Sequence, residues 1–499
     1  MNTSKHVPNQ LSIGLMMVVL GPALVACNQT DGFTEEQWSA IAAMEPLKGG
    51  PPPSRYNTRG DDVDLAKFGQ MIYFDKDVAE AITVAGPTGN VGDIRKVSCF
   101  TCHGGDYFND SRPFPISHGR SWINTDTGPL TNLAWYDWTT SSGRFDSMVE
   151  HGTTVWGTSA TPIAQARFLY LKYKDDYNAV FPDSPLDDRL GITDTTDPNN
   201  VYPMTGGPKS SPTAADGPFE KMPPDAQAQI NKIRANLGRA FDAYPRQLIT
   251  PESPFQKYVR DRNFSAISDK AKRGLALFIG KAACNECHSG PTLTDNKFHN
   301  VGAPALTVQP YTNATIAPNR GRASSVATIT ANVAALTANP NSPLIFDGAS
   351  MYSDDPQGGL DRLTKVAQDA DAHCKTHDPV TNACTLYDET LEGAFRTYSL
   401  LNVAQTGPYF HSGTVNTLED VVRQYNAGGA PSGMYVGTPD PKIRPLLLTE
   451  EEISELVEFL TTLTGLTPAQ QAKADDSGMT WDWSKKTAHA PLPPPTTTM

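Results

Sequence analysis

Cys284-Asn285-Glu286-Cys287-His288 and, 185 positions earlier, Cys99-Phe100-Thr101-Cys102-His103 decide how this chain of 499 residues is read. In Cys-x-x-Cys-His each thiol can form a thioether to one haem vinyl group. The histidine directly after the second cysteine is then placed to bind the iron. A zinc site would need four ligands with a second pair close by, and a redox dithiol has no need of the histidine. The sequence therefore predicts two covalently bound haem c groups, one on Cys99, Cys102 and His103 and one on Cys284, Cys287 and His288.

Outward from the motifs, apolar residues recur at helical spacing, as in Leu65, Phe68, Gly69, Ile72 and Tyr73, in Ala271 to Ile279, and in Ile453, Leu456, Val457 and Leu460. Runs of period two are scarce. Stretches rich in Gly, Pro, Asn and Asp at 182–224 and 300–360 read as long loops, which a haem can gather as a core. The fold class expected is mostly α: two cytochrome c-type haem domains with long loops, divided near residue 250. The N-terminal haem domain is placed at 61–250 and the C-terminal one at 251–470.

The ends read differently. Lys5 and His6 precede an apolar stretch from Leu11 to Ala26, broken by Gly21 and Pro22 and closing in Leu24-Val25-Ala26-Cys27. That pattern is an export signal over 1–27 of the lipoprotein type, which leaves a lipidated Cys27 as the membrane anchor. Asn28 after the cysteine resembles lipoproteins sent to the outer membrane, so the body is expected in the periplasm. Residues 28–60, with Gly49-Gly50-Pro51-Pro52-Pro53, read as a flexible tether, and 471–499 as a flexible tail. A net charge of -13, with no run of Lys and Arg, offers no face for a phosphate backbone and speaks against nucleic acid.

Cys374 and Cys384 sit in a polar segment, and in an oxidising compartment their spacing reads as a local disulfide. A metal site with His373 and His377 is the competing reading. An iron with histidine on one face needs its other face explained: an open face meets peroxide, a filled one favours electron transfer. The histidines available for that role are His118, His151, His299, His373, His377 and His411.

Phe278-Ile279-Gly280-Lys281, the second haem motif through Pro291, Phe298-His299-Asn300-Val301-Gly302, and Phe395-Arg396-Thr397 to Asn402-Val403-Ala404 form one series of matches. Thr406-Gly407-Pro408-Tyr409-Phe410-His411-Ser412-Gly413, followed by Thr417-Leu418-Glu419, extends it. With Phe74-Asp75, Asn132, Trp138, Gly143-Arg144 and Asp146 in the first half, the chain from about 64 to 465 resembles the bacterial di-haem cytochrome c peroxidase and MauG family. The resemblance implies a peroxide-reactive N-terminal haem and a C-terminal haem that passes or stores electrons. It implies a second axial ligand for the C-terminal iron at Tyr425, seven residues after Leu418, as in MauG-like members, where the peroxidases have Met. It also implies a calcium ion between the haems, held by the Asn132 side chain and the backbone carbonyls of Thr406 and Pro408, and an aromatic bridge at Trp138, with Trp135 as fallback.

The family's distal Gln position falls on His151, and its distal Glu region, Thr161 to Gln165, contains no carboxylate. His118 resembles the loop histidine that closes this haem in resting peroxidases. The first haem is then either a peroxide site worked by His151 or a bis-histidine carrier. The expected function is a di-haem oxidoreductase using hydrogen peroxide, with electrons from a small donor protein or a protein substrate. Two alternatives stay open: an electron-transfer cytochrome with both haems closed, and a di-haem oxygenase of the rubber-cleaving type. Inserts at 182–224 and 352–394 are where partner specificity is expected.

Overall fold

Helices dominate the computed structural model, which describes residues 30–156, 159–209, 214–308, 315–388, 390–467 and 470, with two short strands at 480–482 and 487–489. Cys27 and the export signal lie outside the described residues. The segment expected as a tether does not behave as one from residue 30 on. Glu35–Ala43 forms helix α1, opened by a capping box in which Thr34 accepts from the Gln37 N–H and Gln37 reaches back. Trp38, Ile41 and Met44 are buried, with Trp38 packed on Tyr258 and Phe264 and covered by the Arg262 guanidinium at 4.3 Å. Farther on, the Pro52 carbonyl accepts from Arg246, and Tyr56 and Asn57 are buried. Proline-rich composition concealed a short helix whose signature, Thr34-Glu35-Glu36-Gln37, was present in the sequence.

Two apolar cores organise the chain. The first gathers α2 (Val63–Phe74), α4 (Met148–Val155), α5 (Pro162–Val180) and α6 (Pro224–Arg246). The four-residue α3, Cys99–Cys102, carries the first haem motif. The second core gathers α1, α7 (Pro254–Arg260), α8 (Asp269–Ile279), α11 (Leu418–Ala427) and α12 (Glu450–Thr461). Glycines let the helices of each core approach closely. A Cβ on Gly69 of α2 would lie 2.2 Å from the Ala240 carbonyl oxygen of α6, and one on Gly274 of α8 would lie 2.0 Å from that of Glu455 on α12. Only glycine permits backbones to pass this closely.

The halves repeat one another in detail. Asn132 (φ 58°) and Asn402 (φ 64°) adopt the left-handed conformation and open the 3-10 turns Leu133–Trp135 and Val403–Gln405. Thr140 and Phe410, then Gly143 and Gly413, share positive φ values, and isolated bridges join Thr139 to Phe145 and Tyr409 to Val415. Ser147 caps α4 by accepting from the Glu150 N–H, as Thr417 caps α11 by accepting from that of Asp420. Every one of these pairs is offset by 270 positions, so residues of α4 have counterparts on α11.

Between Leu293 and Tyr398 the second half carries a large insertion. It contains α9 (Arg322–Ala338), α10 (Pro356–Ala372) and a hairpin of Cys374–His377 with Cys384–Tyr387, closed by the Cys374–Cys384 disulfide. The stretch 300–360, expected as loop, thus contains a 17-residue helix; its Ala-, Val- and Ile-bearing turns were outweighed in the reading by the Asn and Pro around them. The ends of the insertion are tied by the two-residue pair Phe298–His299 with Phe395–Arg396.

Candidate haem sites and the contact between them

Both motif histidines are held the same way. His103 Nδ1–H donates to the Phe108 carbonyl at 2.9 Å, and His288 Nδ1–H donates to the Leu293 carbonyl at 3.1 Å, in each case five residues on. A donor at Nδ1 fixes the tautomer and leaves the Nε2 lone pair for a metal. Burial lowers the pKa of both rings, so they stay neutral, as iron ligation requires. Gly128 and Tyr398, again 270 positions apart, present a second backbone carbonyl to His103 and His288 respectively.

On the first site, α4 carries His151. Its ring stacks on Phe145 at 4.9 Å and 19°, with the Arg144 guanidinium 4.9 Å from the centre of that phenylalanine ring. His151 Nδ1 is buried with no hydrogen-bond partner. Burial above all, with His103 and Arg144 opposing a second positive charge, brings its pKa down to about 3, so the imidazole is uncharged at neutral pH. His118 is placed otherwise. It is 1% exposed, Nε2–H donates to the Val84 carbonyl at 2.9 Å, and Trp122 covers the ring edge-on. In this conformation Nε2 is engaged with Val84, while Nδ1 is buried without a hydrogen-bond partner.

The second site is an apolar cavity lined by Cys284, Cys287, His288, Phe395, Tyr398, His411 and Tyr425 among others. Tyr425 reaches it from α11, where burial and then the two motif thiols push its phenol well above the ordinary range. Such a phenol ionises only when a cation compensates it, which ferric iron would do. His411 stacks on Phe395 at 3.6 Å, with a buried unpartnered Nδ1. His299 is clamped by Asp295 and Asp440, each at 2.9 Å; Asp295, then Cys287 and Asp440, raise its pKa to about 10 against the opposing effect of burial. His373 and His377 pair with Asp388 and Asp371 on the insertion, and the disulfide uses the cysteines beside them. Polar orphans and neutral histidines around each motif fit a haem at both sites.

Among the residues implied for calcium, Asn132 lies at a contact between the two halves. Asn132 Oδ1 accepts from the Thr250 N–H at 3.1 Å and its Nδ2 donates to Thr250 Oγ1 at 2.7 Å. Asn402 Nδ2 donates to the same hydroxyl at 2.7 Å, and its Oδ1 accepts from Gly465. Thr406 Oγ1 turns to Val403, and Pro408 follows a cis peptide. Because both halves repeat the Asn contact, Asn132 and Asn402 clasp the two halves together through Thr250. Replacing Asn402 by Ala leaves the buried Gly465 N–H without its acceptor and is expected to cost about 1–3 kcal/mol, read as a lowered denaturation midpoint.

Trp138 is buried among Ile329, Leu336 and Leu363. Its ring lies between the guanidiniums of Arg322 and Arg362, 4.2 and 4.3 Å from the ring centre. At about 4 Å each would raise the cost of a positive charge on the indole by about 4 kcal/mol at an effective dielectric near 20. Three carboxylates meet nearby: Asp146 faces Arg362, burial drives Glu150 well up, and burial and Asp146 push Asp347 up to about 7. Sequence reading missed Asp347, Tyr398 and Asp126, since no motif links residues so far apart. The 270-residue repeat was the signal that could have singled out Tyr398.

A chain that builds one haem-binding half twice is, in class, a di-haem c-type protein. No family model matches it. It is 32% identical over 231 residues to the cytochrome-c peroxidase IdrP1 of Denitromonas iodatirespirans, a match covering 46% of this chain and 50% of that protein. The chain thus spans about half the length of that relative. Over 373 residues it is 25% identical to the methylamine utilization protein MauG of Methylorubrum extorquens, covering 74% of this chain and 72% of that one. The diheme peroxidase BthA from Burkholderia thailandensis shares the fold at 17% identity, with a TM-score of 0.50 over 86% of this chain and 91% of that chain. The chain is thus similar in sequence to bacterial cytochrome-c peroxidases and MauG proteins and shares the fold of a diheme peroxidase.

Proposed function

We propose that this chain is a periplasmic, lipid-tethered oxidoreductase that reduces hydrogen peroxide at the His103 site. Electrons come from a small donor protein or a protein substrate and pass through the His288 and Tyr425 site. The observation that carries this reading is the repeat. The position on α4 equivalent to Tyr425 on α11 is Val155, which has no ligand atom, while His151, one turn earlier, brings a neutral ring with an unpartnered nitrogen.

The sequence similarity supports the same assignment. A haem on His103 would supply the binding face and the one-electron steps. His151 accepts the proton of bound peroxide and returns it to the departing oxygen, so that two electrons and two protons convert one peroxide to two waters. Stacking on Phe145 holds the ring in place for that transfer.

An electron paramagnetic resonance spectrum of the ferric holoprotein, before and after stoichiometric peroxide, tests the reading. A high-spin signal consumed by peroxide is expected. Two low-spin signals indifferent to peroxide, in oxidised and half-reduced protein alike, would leave an electron carrier instead.

A further inference from the structure

We infer that the side chain joining the two haem sites is Tyr398, and that Trp138 is not the conduit. This rests on the proposed occupancy of both motifs by haem. Four observations converge on the tyrosine. Its backbone carbonyl faces the ring of His288, and the carbonyl of Gly128 faces the ring of His103. Its own ring rests on Gly128: a Cβ placed there would lie 2.8 Å from Tyr398 Cε1, 3.3 Å from Cζ and 3.2 Å from the phenol oxygen. One side chain therefore spans from the backbone beside the first proximal histidine to the backbone beside the second. Third, Tyr398 lines the second cavity together with Asp126, Gly128 and Pro129, which the first half contributes there.

Fourth, the ring is held in place. The Arg396 guanidinium stands 4.4 Å from the Tyr398 ring and 4.0 Å from that of Tyr136, fixing the tyrosine between the halves. Trp138 is not among the residues lining the second cavity, and the two guanidiniums on its faces oppose an oxidised indole. Tyr398 acts as a contact path, with no bond made or broken and no proton released from the phenol. Its aromatic ring matters and its hydroxyl does not.

The test is the rate of electron redistribution between the two haems after pulse reduction of the holoprotein, followed by visible absorbance. Haem content and the two midpoint potentials serve as controls. Tyr398→Ala opens a gap between Gly128 and the second site and is expected to slow redistribution by about tenfold or more, since a void offers no atoms to couple through. Tyr398→Phe and Trp138→Phe are expected to stay within about twofold, because each keeps a packed aromatic ring in place. Should Tyr398→Ala lose haem, Tyr398→Val, which ends short of Gly128, tests the same gap. A slow Trp138→Phe beside an unaltered Tyr398→Ala would overturn the inference, and so would unaltered rates in all three variants. The rate is measurable whether or not peroxide reacts at the first site, so failure here is distinct from failure of the peroxide reading. Absence of two haems from the purified protein would instead remove that underlying reading.

Discussion

Replacing His151 by Ala is expected to lower the second-order rate of peroxide consumption by about two to four orders of magnitude, while haem content and the His103 ligation spectrum stay as they were. His118 is tied to the Val84 carbonyl, and Glu150, next in sequence, turns to Asp146, whose N–H it accepts. Stopped-flow mixing with peroxide measures the loss. A variant that keeps the parent rate would show that proton transfer is handled elsewhere and would sink the assignment of His151.

The same histidine sets a pH dependence whose sign follows from its burial. Its folded pKa, about 3, lies below the ordinary value of 6.5. The unfolded chain therefore binds a proton that the folded chain refuses, and stability falls as pH drops below about 6.5. His411, brought down to about 3 by burial, acts in the same direction. His151→Ala should accordingly soften the acid loss of stability while it removes activity, two effects that a merely disrupted fold would not separate.

How much of this was legible beforehand differs from residue to residue. The two Cys-x-x-Cys-His motifs and the helical spacing around Leu65 and Ala271 are local patterns, and local patterns survive in a sequence without its fold. The tether assignment failed at α1 because proline and glycine content at 49–53 outweighed a nine-residue helix whose stability comes from burying Trp38 against Tyr258 and Phe264, contacts over two hundred residues away in sequence. Helix α9 was lost for a similar reason.

The clasp of Asn132 and Asn402 on Thr250, the two arginines around Trp138, and the meeting of Gly128 with Tyr398 are long-range juxtapositions. Each needs both halves to be folded before it exists. The repeat itself was available, since the left-handed asparagines, the following glycines and the helix caps recur at one offset. Reading it from sequence required ignoring the insertion between Leu293 and Tyr398, which hides the correspondence of the first half with the second.

Tyr425→Met is expected to raise the midpoint potential of the second haem by on the order of 0.1 V, a modest share of the roughly 0.8 V range that axial ligands command. A phenolate favours ferric iron, whereas a thioether favours ferrous. Burial and then the two motif thiols hold the Tyr425 phenol well above its ordinary range, and a ferric iron beside it would favour the phenolate. Spectroelectrochemical titration reads the shift, and an unchanged potential would show that the phenol merely packs. The repeat allows the converse experiment. Val155→Tyr places a phenol at the matching position of the first half, where it is expected to occupy the distal face of the His103 haem and suppress peroxide consumption by about tenfold or more, a filled sixth position favouring electron transfer over peroxide binding. If Val155→Tyr left peroxide consumption intact while Tyr425→Met moved the second potential, the two helices would not present equivalent positions to their haems, and the peroxide reading would lose the observation that carries it.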